Sequence, residues 1–150
     1  MGRFLFALEV LVMFCAAAAA QNLNGTTGMN ATCKPYAYST AASNNSTNVK
    51  NAAGAVCSFI SITNIGSTTG GNVRFYDSTS APTCSSATGV VLGPFPIPVN
   101  ATAANVAGFT IAIPVDIQFV NGVSFCITGA VATNDNTNFV TGAQLNFGYH

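Results

Sequence analysis

Beyond its first 20 residues this 150-residue chain carries almost no charge. Lys34, Lys50 and Arg74 are the basic residues, Asp77, Asp116 and Asp135 the acidic ones, and His150 is the single histidine. Acid–base and metal chemistry need titratable groups, and these are scarce. No basic patch exists, so the electrostatic attraction that dominates nucleic-acid binding is missing, and attraction to anionic lipid fails for the same reason. No G-x-S-x-G motif occurs. Gly25-Thr26-Thr27-Gly28 and Gly70-Gly71 have no following lysine and open no helix, so they read as turns and not as phosphate loops. A glycosidase needs two carboxylates placed across a bond, and the three aspartates sit singly near strand ends or turns. No two cysteines have C-x-x-C spacing, and no histidine is near them in the sequence, which argues against zinc. His150 reads as a chain end and not as a base. These absences point to a non-enzymatic protein without cofactor or metal.

The N-terminus reads as a secretory signal over residues 1–20. Arg3 gives a short positive region, Phe4 to Phe14 an apolar one, and Ala18-Ala19-Ala20 a small-residue cleavage site before Gln21. The apolar run is short of the roughly 20 residues that a membrane span needs, and no later stretch of the mature chain is long enough to cross a bilayer. Residues 21–33 read as a polar, flexible lead-in. The mature chain of about 130 residues is enough for one domain with one core. Cys33, Cys57, Cys84 and Cys126 are an even set in a chain marked for export, which implies two disulfides with three possible connectivities. The expected location is secreted, periplasmic or extracellular. Asn-x-Ser/Thr sequons at Asn24, Asn30, Asn44, Asn45 and Asn100 read as accidents of an Asn/Thr-rich composition.

From Lys34 onward the pattern is strand-like. Tyr36, Tyr38 and Thr40 alternate with smaller residues. In Ala55–Asn64, Val56, Ser58, Ile60 and Ile62 share one face, and the other face is also partly apolar, as in a central strand. Val73 and Phe75 alternate with Arg74 and Tyr76 up to Asp77, which is expected to cap the turn Ser78–Ser80. Pro94, Pro96 and Pro98 fall on every second residue of an extended run and mark a sheet edge. Phe109, Ile111, Ile113 and Val115 alternate cleanly, and Asn121-Gly122 is a two-residue turn signal before Val123, Phe125 and Ile127. Leu145, Phe147 and Tyr149 form the last alternating strand. Seven or eight short strands and no helix predict an all-β antiparallel sandwich over residues 34–150, jelly-roll-like, although alternation alone leaves immunoglobulin-like connectivity open.

Several short motifs follow one another in order: Ala41-Ala42-Ser43, Val49-Lys50 with Ala53-Gly54, a strand ending at Asn64, and Phe75-Tyr76-Asp77 with Ala81-Pro82-Thr83. Pro94-Phe95-Pro96-Ile97-Pro98, Ile127-Thr128-Gly129 and Asn134-Asp135-Asn136-Thr137 follow. In this order and spacing the stretch from Tyr38 to Tyr149 resembles a family of small β-sandwich domains in tailed-phage virion proteins and phage-related bacterial proteins. The resemblance implies a structural or surface-display role, with no catalytic residues to transfer. It also implies a Cys84–Cys126 disulfide, since members with cysteines at those places look like disulfide formers, and this leaves Cys33 with Cys57. The chain departs from the family in its export signal, and in the late loop, where Thr133 stands at the first of two acidic places and only Asp135 remains.

The functional expectation is an exported structural or surface-display protein acting by assembly with itself or another surface or virion protein. The alternative is a carbohydrate-binding or adhesive module, with Tyr36, Tyr38 and Tyr76 offering rings to a glycan. Asn134, Asp135 and Asn136 form a weak candidate cation loop, since oxygen donors are dense but only one is a carboxylate. Low charge removes repulsion between copies, and an edge not guarded by proline can pair with another chain.

Overall fold

The computed structural model describes residues 33–40, 45–130, 132, 134–139 and 142–150. Residues 1–20, read above as an export signal, and nearly all of the expected lead-in lie outside the described residues, as do Asn24, Asn30 and Asn44. Eight strands follow in order: β1 Lys34–Ser39, β2 Ser46–Lys50, β3 Gly54–Ile65, β4 Gly71–Asp77, β5 Val90–Ile97, β6 Val106–Phe119, β7 Val123–Thr128 and β8 Ala143–Tyr149. They form two antiparallel four-stranded sheets, with orders β1-β8-β3-β6 and β2-β7-β4-β5. Strands 4 with 5, 3 with 6, 2 with 7 and 1 with 8 are paired. The chain is therefore one long hairpin, folded at the β4–β5 connection and rolled into two layers. This nesting is the jelly-roll arrangement of the β-sandwich. Among the described residues no helix is long and apolar enough to cross a membrane.

Inward-facing residues of both sheets meet in one core: Val56, Ile60, Ile62, Leu145 and Phe147 from the first, Val73, Phe75, Val123, Phe125 and Ile127 from the second. Burial of each such side chain contributes roughly 1.5–3 kcal/mol. Phe75 and Phe147 meet edge to face across the layers at 5.0 Å, a geometry that the ring quadrupole favours. β5 is an edge strand, as its prolines predict. β2 escapes sequence patterning, because its Ser46-Thr47-Asn48 stretch is polar; it forms where β7 offers an open ladder.

Two expectations change. Asn121-Gly122 does not close a hairpin, because β6 and β7 belong to different sheets and the connection crosses between layers. Neither residue adopts the positive φ of a type I′ turn. The alternation in β6 also breaks after Ile113. Val56 pairs with Ile117 but Ser58 with Ile113, so two extra residues of β6 bulge out. Val115 turns to solvent at 75% exposure instead of entering the core.

Both disulfides form with the expected pairing, Cys33–Cys57 and Cys84–Cys126. The first spans the intervening strand β8 and passes over Gly148, where an added Cβ would lie 2.4 Å from the Cys33 Sγ and 2.4 Å from the Cys57 carbonyl oxygen. Gly148→Ala is expected to lower stability by about 1–3 kcal/mol through overpacking, read as a fall in the thermal midpoint. The intact mass under non-reducing conditions should be four hydrogens below that of the reduced chain; native protein with four alkylatable thiols would contradict the pairing.

Candidate functional site

β4 and β7 are the central strands of their sheet, and every residue from Gly71 to Tyr76 and from Val123 to Thr128 is buried. Their outward faces are polar, so each donor there needs a partner. Two long loops fold across this face and supply carbonyls. Ser124 donates from its hydroxyl to Ser78 and Ser80 carbonyls at 2.8 and 3.1 Å. The Tyr76 hydroxyl lies 3.2 Å from the Cys84 carbonyl and 3.0 Å from that of Ser86. Asn72 donates to the Ala130 carbonyl at 3.2 Å, and Arg74 to the Thr128 hydroxyl and the Asp135 carbonyl at 3.3 and 3.1 Å. Cys84–Cys126 fastens the first loop to β7 covalently.

This layer corrects the tyrosine expectation. Tyr76 is 2% exposed and holds a loop, so its ring is no platform for a sugar. Burial pushes its phenol up, against the lowering effect of Arg74, which keeps it a neutral donor. Tyr36 and Tyr38 are half-buried and pack on the core: Tyr38 meets Phe125 at 5.0 Å, and Tyr36 meets Phe147 at 5.3 Å. The Tyr38 hydroxyl donates to the Asn45 side-chain carbonyl at 3.2 Å. Asn45, whose amide donates to the Phe139 carbonyl at 2.7 Å, is itself buried, and so is Asn100. A glycan on either amide is incompatible with this fold.

In the cation loop, Asp135 accepts from the Ala130 N–H at 2.8 Å, and from the Thr137 N–H at 3.1 Å and hydroxyl at 2.8 Å. Burial raises its carboxyl, but the Thr137 and Ala130 hydrogen bonds and the Arg74 charge together hold it below the usual range. The carboxylate closes its own loop, next to a guanidinium. Asn134 and Asn136 are exposed beside it. The same loop carries Phe139 into the core, a placement that the polar sequence around it conceals.

Asp77 does not cap its own turn. Its carboxylate accepts from the Asn121 N–H at 2.6 Å, the Asn121 side-chain amide at 3.0 Å and the Gly122 N–H at 3.0 Å. It thereby pins the crossover between the sheets, while Ser78 closes the local turn by accepting from the Ser80 N–H at 3.2 Å. Beside it lies an open cleft of about 400 Å³ whose wall includes the hydroxyl residues Ser78, Ser80, Thr83, Ser86 and Thr88.

A second cleft of about 400 Å³ opens where β1 begins and β8 ends, lined in part by Lys34, Lys50, Tyr149 and His150. His150 is not a loose end: it exchanges both backbone hydrogen bonds with Ala55, and its Nε2 lies 2.8 Å from the Asp116 carboxylate. Cys57, distant in sequence, has its Sγ within 4.8 Å of ligand atoms of both. The fold thus brings together a cysteine and a histidine that are far apart in the sequence. Neither Asp116 nor His150 carries a sequence signal for this pairing, since β3 and β8 must align before the groups meet.

Asp77→Ala should cost about 1–2 kcal/mol, the scale of hydrogen bonds to a charged group reduced by partial exposure. Burial alone would raise the Asp77 carboxyl, but the N–H groups of Asn121, Gly122 and Val120 and the Asn121 amide outweigh it and lower it. A lowered folded-state value gives stability that is complete above the unfolded carboxylate range and is lost as pH falls through the lowered one. Denaturant midpoints should therefore be flat from pH 7 to about 5 and fall below about pH 4, and Asp77→Ala should flatten that fall.

Comparison with known proteins found no matching protein-family model, no matching curated protein and no matching solved structure.

Proposed function

We propose that this protein is an exported, non-enzymatic structural or surface-display module that assembles with copies of itself. The observation that carries this reading is the outer edge of β6, which pairs with no further strand among the described residues. The first sheet ends on this strand of 14 residues. From Val106 to Val115 it has no charged residue and one proline, Pro114. The other sheet ends on β5, which carries Pro94 and Pro96. Natural edges are blunted by charge, proline or brevity, and β6 has little of these. Val106 and Val115 stand 64% and 75% exposed along it.

The occupant is a second copy. The uncharged stretch 106–115, rich in β-branched residues, carries no charge pattern that selects a different partner, and it pairs with itself about a two-fold axis in an isologous contact. The formal net charge of zero opposes such contact little. The resemblance of the motif order to phage virion domains favours the same role, and the two disulfides suit an oxidising compartment. The aspartates Asp77 and Asp135 are engaged in holding loops, which supports a non-catalytic reading. Glycan attachment is the second reading, favoured by the hydroxyl-lined cleft beside Asp77.

Light scattering across a sizing column tests this, with disulfides intact and protein concentration varied. A dimer or larger assembly that persists on dilution is expected. Val106→Lys with Ala112→Lys, both at exposed positions, should convert it to monomer with the sheet signal unchanged, because like charges then face each other across the pair. A parent protein that is monomeric at every concentration would sink the reading, and saturable glycan binding by that monomer would establish the alternative.

A further inference from the structure

The corner around Cys57 is irregular on both sides. The β3–β6 ladder slips between Val56 and Ser58, and the β3–β8 ladder between Cys57 and Ile60. Ser58, between the two slips, has a φ of 69°, which L-residues other than Asn and Asp rarely adopt. Bulges re-aim side chains and recur beside functional sites. Here the bulge includes Pro114-Val115-Asp116 and turns Asp116 toward His150. The outcome is a carboxylate, an imidazole and a cysteine sulfur with ligand atoms all within 4.8 Å, the one such group among the described residues. The second sulfur, Cys33 Sγ, is bonded to the first.

The geometry points to a redox-gated zinc-class metal site at this corner, in which Cys57, His150 and Asp116 ligate Zn²⁺ together with Cys33 once the Cys33–Cys57 disulfide is reduced. In the oxidised protein the two sulfurs are bonded to each other and the site is closed. A dithiol or phosphine reductant supplies two electrons; the S–S bond breaks and each sulfur takes a proton. Metal binding then displaces both thiol protons to solvent, and imidazole and carboxylate supply the remaining ligands. A tetrahedral zinc centre with bonds of about 2.0–2.3 Å needs neighbouring ligand atoms roughly 3.3–3.8 Å apart. The 2.8 Å His150–Asp116 contact must therefore open slightly, while the sulfurs separate by side-chain rotation.

Access and charge fit as well. His150 and Asp116 side chains are 27% and 26% exposed, and His150 lines the cleft at this end of the sandwich. Two thiolates and one carboxylate around a divalent ion leave one net negative charge. Lys34 and Lys50 line that same cleft and balance it. The other cysteine pair, Cys84 and Cys126, belongs to no such cluster among the described residues.

The test uses the full chain, reduced anaerobically with a phosphine and titrated with Co²⁺ as the spectroscopic probe, then with Zn²⁺ in competition. One equivalent of cobalt should bind, with tetrahedral d–d bands and a thiolate-to-cobalt charge-transfer band, and Zn²⁺ should displace it. Oxidised protein should show neither band. His150→Ala and Asp116→Asn, which leave the core intact, should each weaken binding at least tenfold. Affinity unchanged in both variants would overturn the site by showing sulfur-only binding, possible at either cysteine pair. No tetrahedral cobalt in the reduced parent overturns it too, as does loss of the sheet signal on reduction that cobalt does not restore.

Discussion

The constraint on which the rest of this structure depends is that β4 and β7 are buried on both faces while only their inner faces are apolar. Val73, Phe75, Val123, Phe125 and Ile127 build the core; Asn72, Arg74, Tyr76, Ser124 and Thr128 look the other way and are buried too. Leaving such groups without partners would cost about 1–3 kcal/mol each. The loops after β4 and β7 answer this by laying the carbonyls of Ser78, Ser80, Cys84, Ser86, Ala130 and Asp135 across the sheet. Loop carbonyls accept from Asn72, Arg74, Tyr76 and Ser124, so the loops and the polar face of the sheet hold each other in place.

The nested pairing of strands has a second consequence. Because most strands pair with one far along the chain, groups distant in sequence meet at the ends of the sandwich. Asp77 reaches Asn121-Gly122 and fixes the crossover. Asp116 reaches His150 across the bulge opposite Cys57. The few charges of this chain are thus spent on joints between layers and strands: Asp77 at a crossover, Asp135 with Arg74 at a loop, Asp116 with His150 at the end of the last strand. The bulk of the surface is left neutral, and the long β6 edge is left without the charges that usually separate copies.

The two-residue periodicity of Ile60/Ile62, Val73/Phe75 and Leu145/Phe147 was sufficient to identify core strands, because a half-buried strand writes its pleat into the sequence. The proline alternation marked the β5 edge for an equally local reason, the missing N–H donors. Periodicity misled where the backbone slips: the β6 bulge puts Val115 outside. It was silent where pairing alone makes a strand, as in polar β2. At Tyr76 local pattern is silent, because a phenol reads the same whether wet or buried on a carbonyl, and the loop over it decides.

The sequence by itself determined the all-β class, the alternating inner faces, one edge and the even cysteine set, since each rests on residues close together in the chain. Strand order, the layer crossing at Asn121-Gly122, the covering of Tyr76 by a loop and the meeting of Cys57, Asp116 and His150 were decided by tertiary structure. These depend on which distant strands pair and in what register, and a one-residue slip in register exchanges the faces of a strand. No local spacing encodes that choice; the packing of the whole core against its buried polar layer makes it.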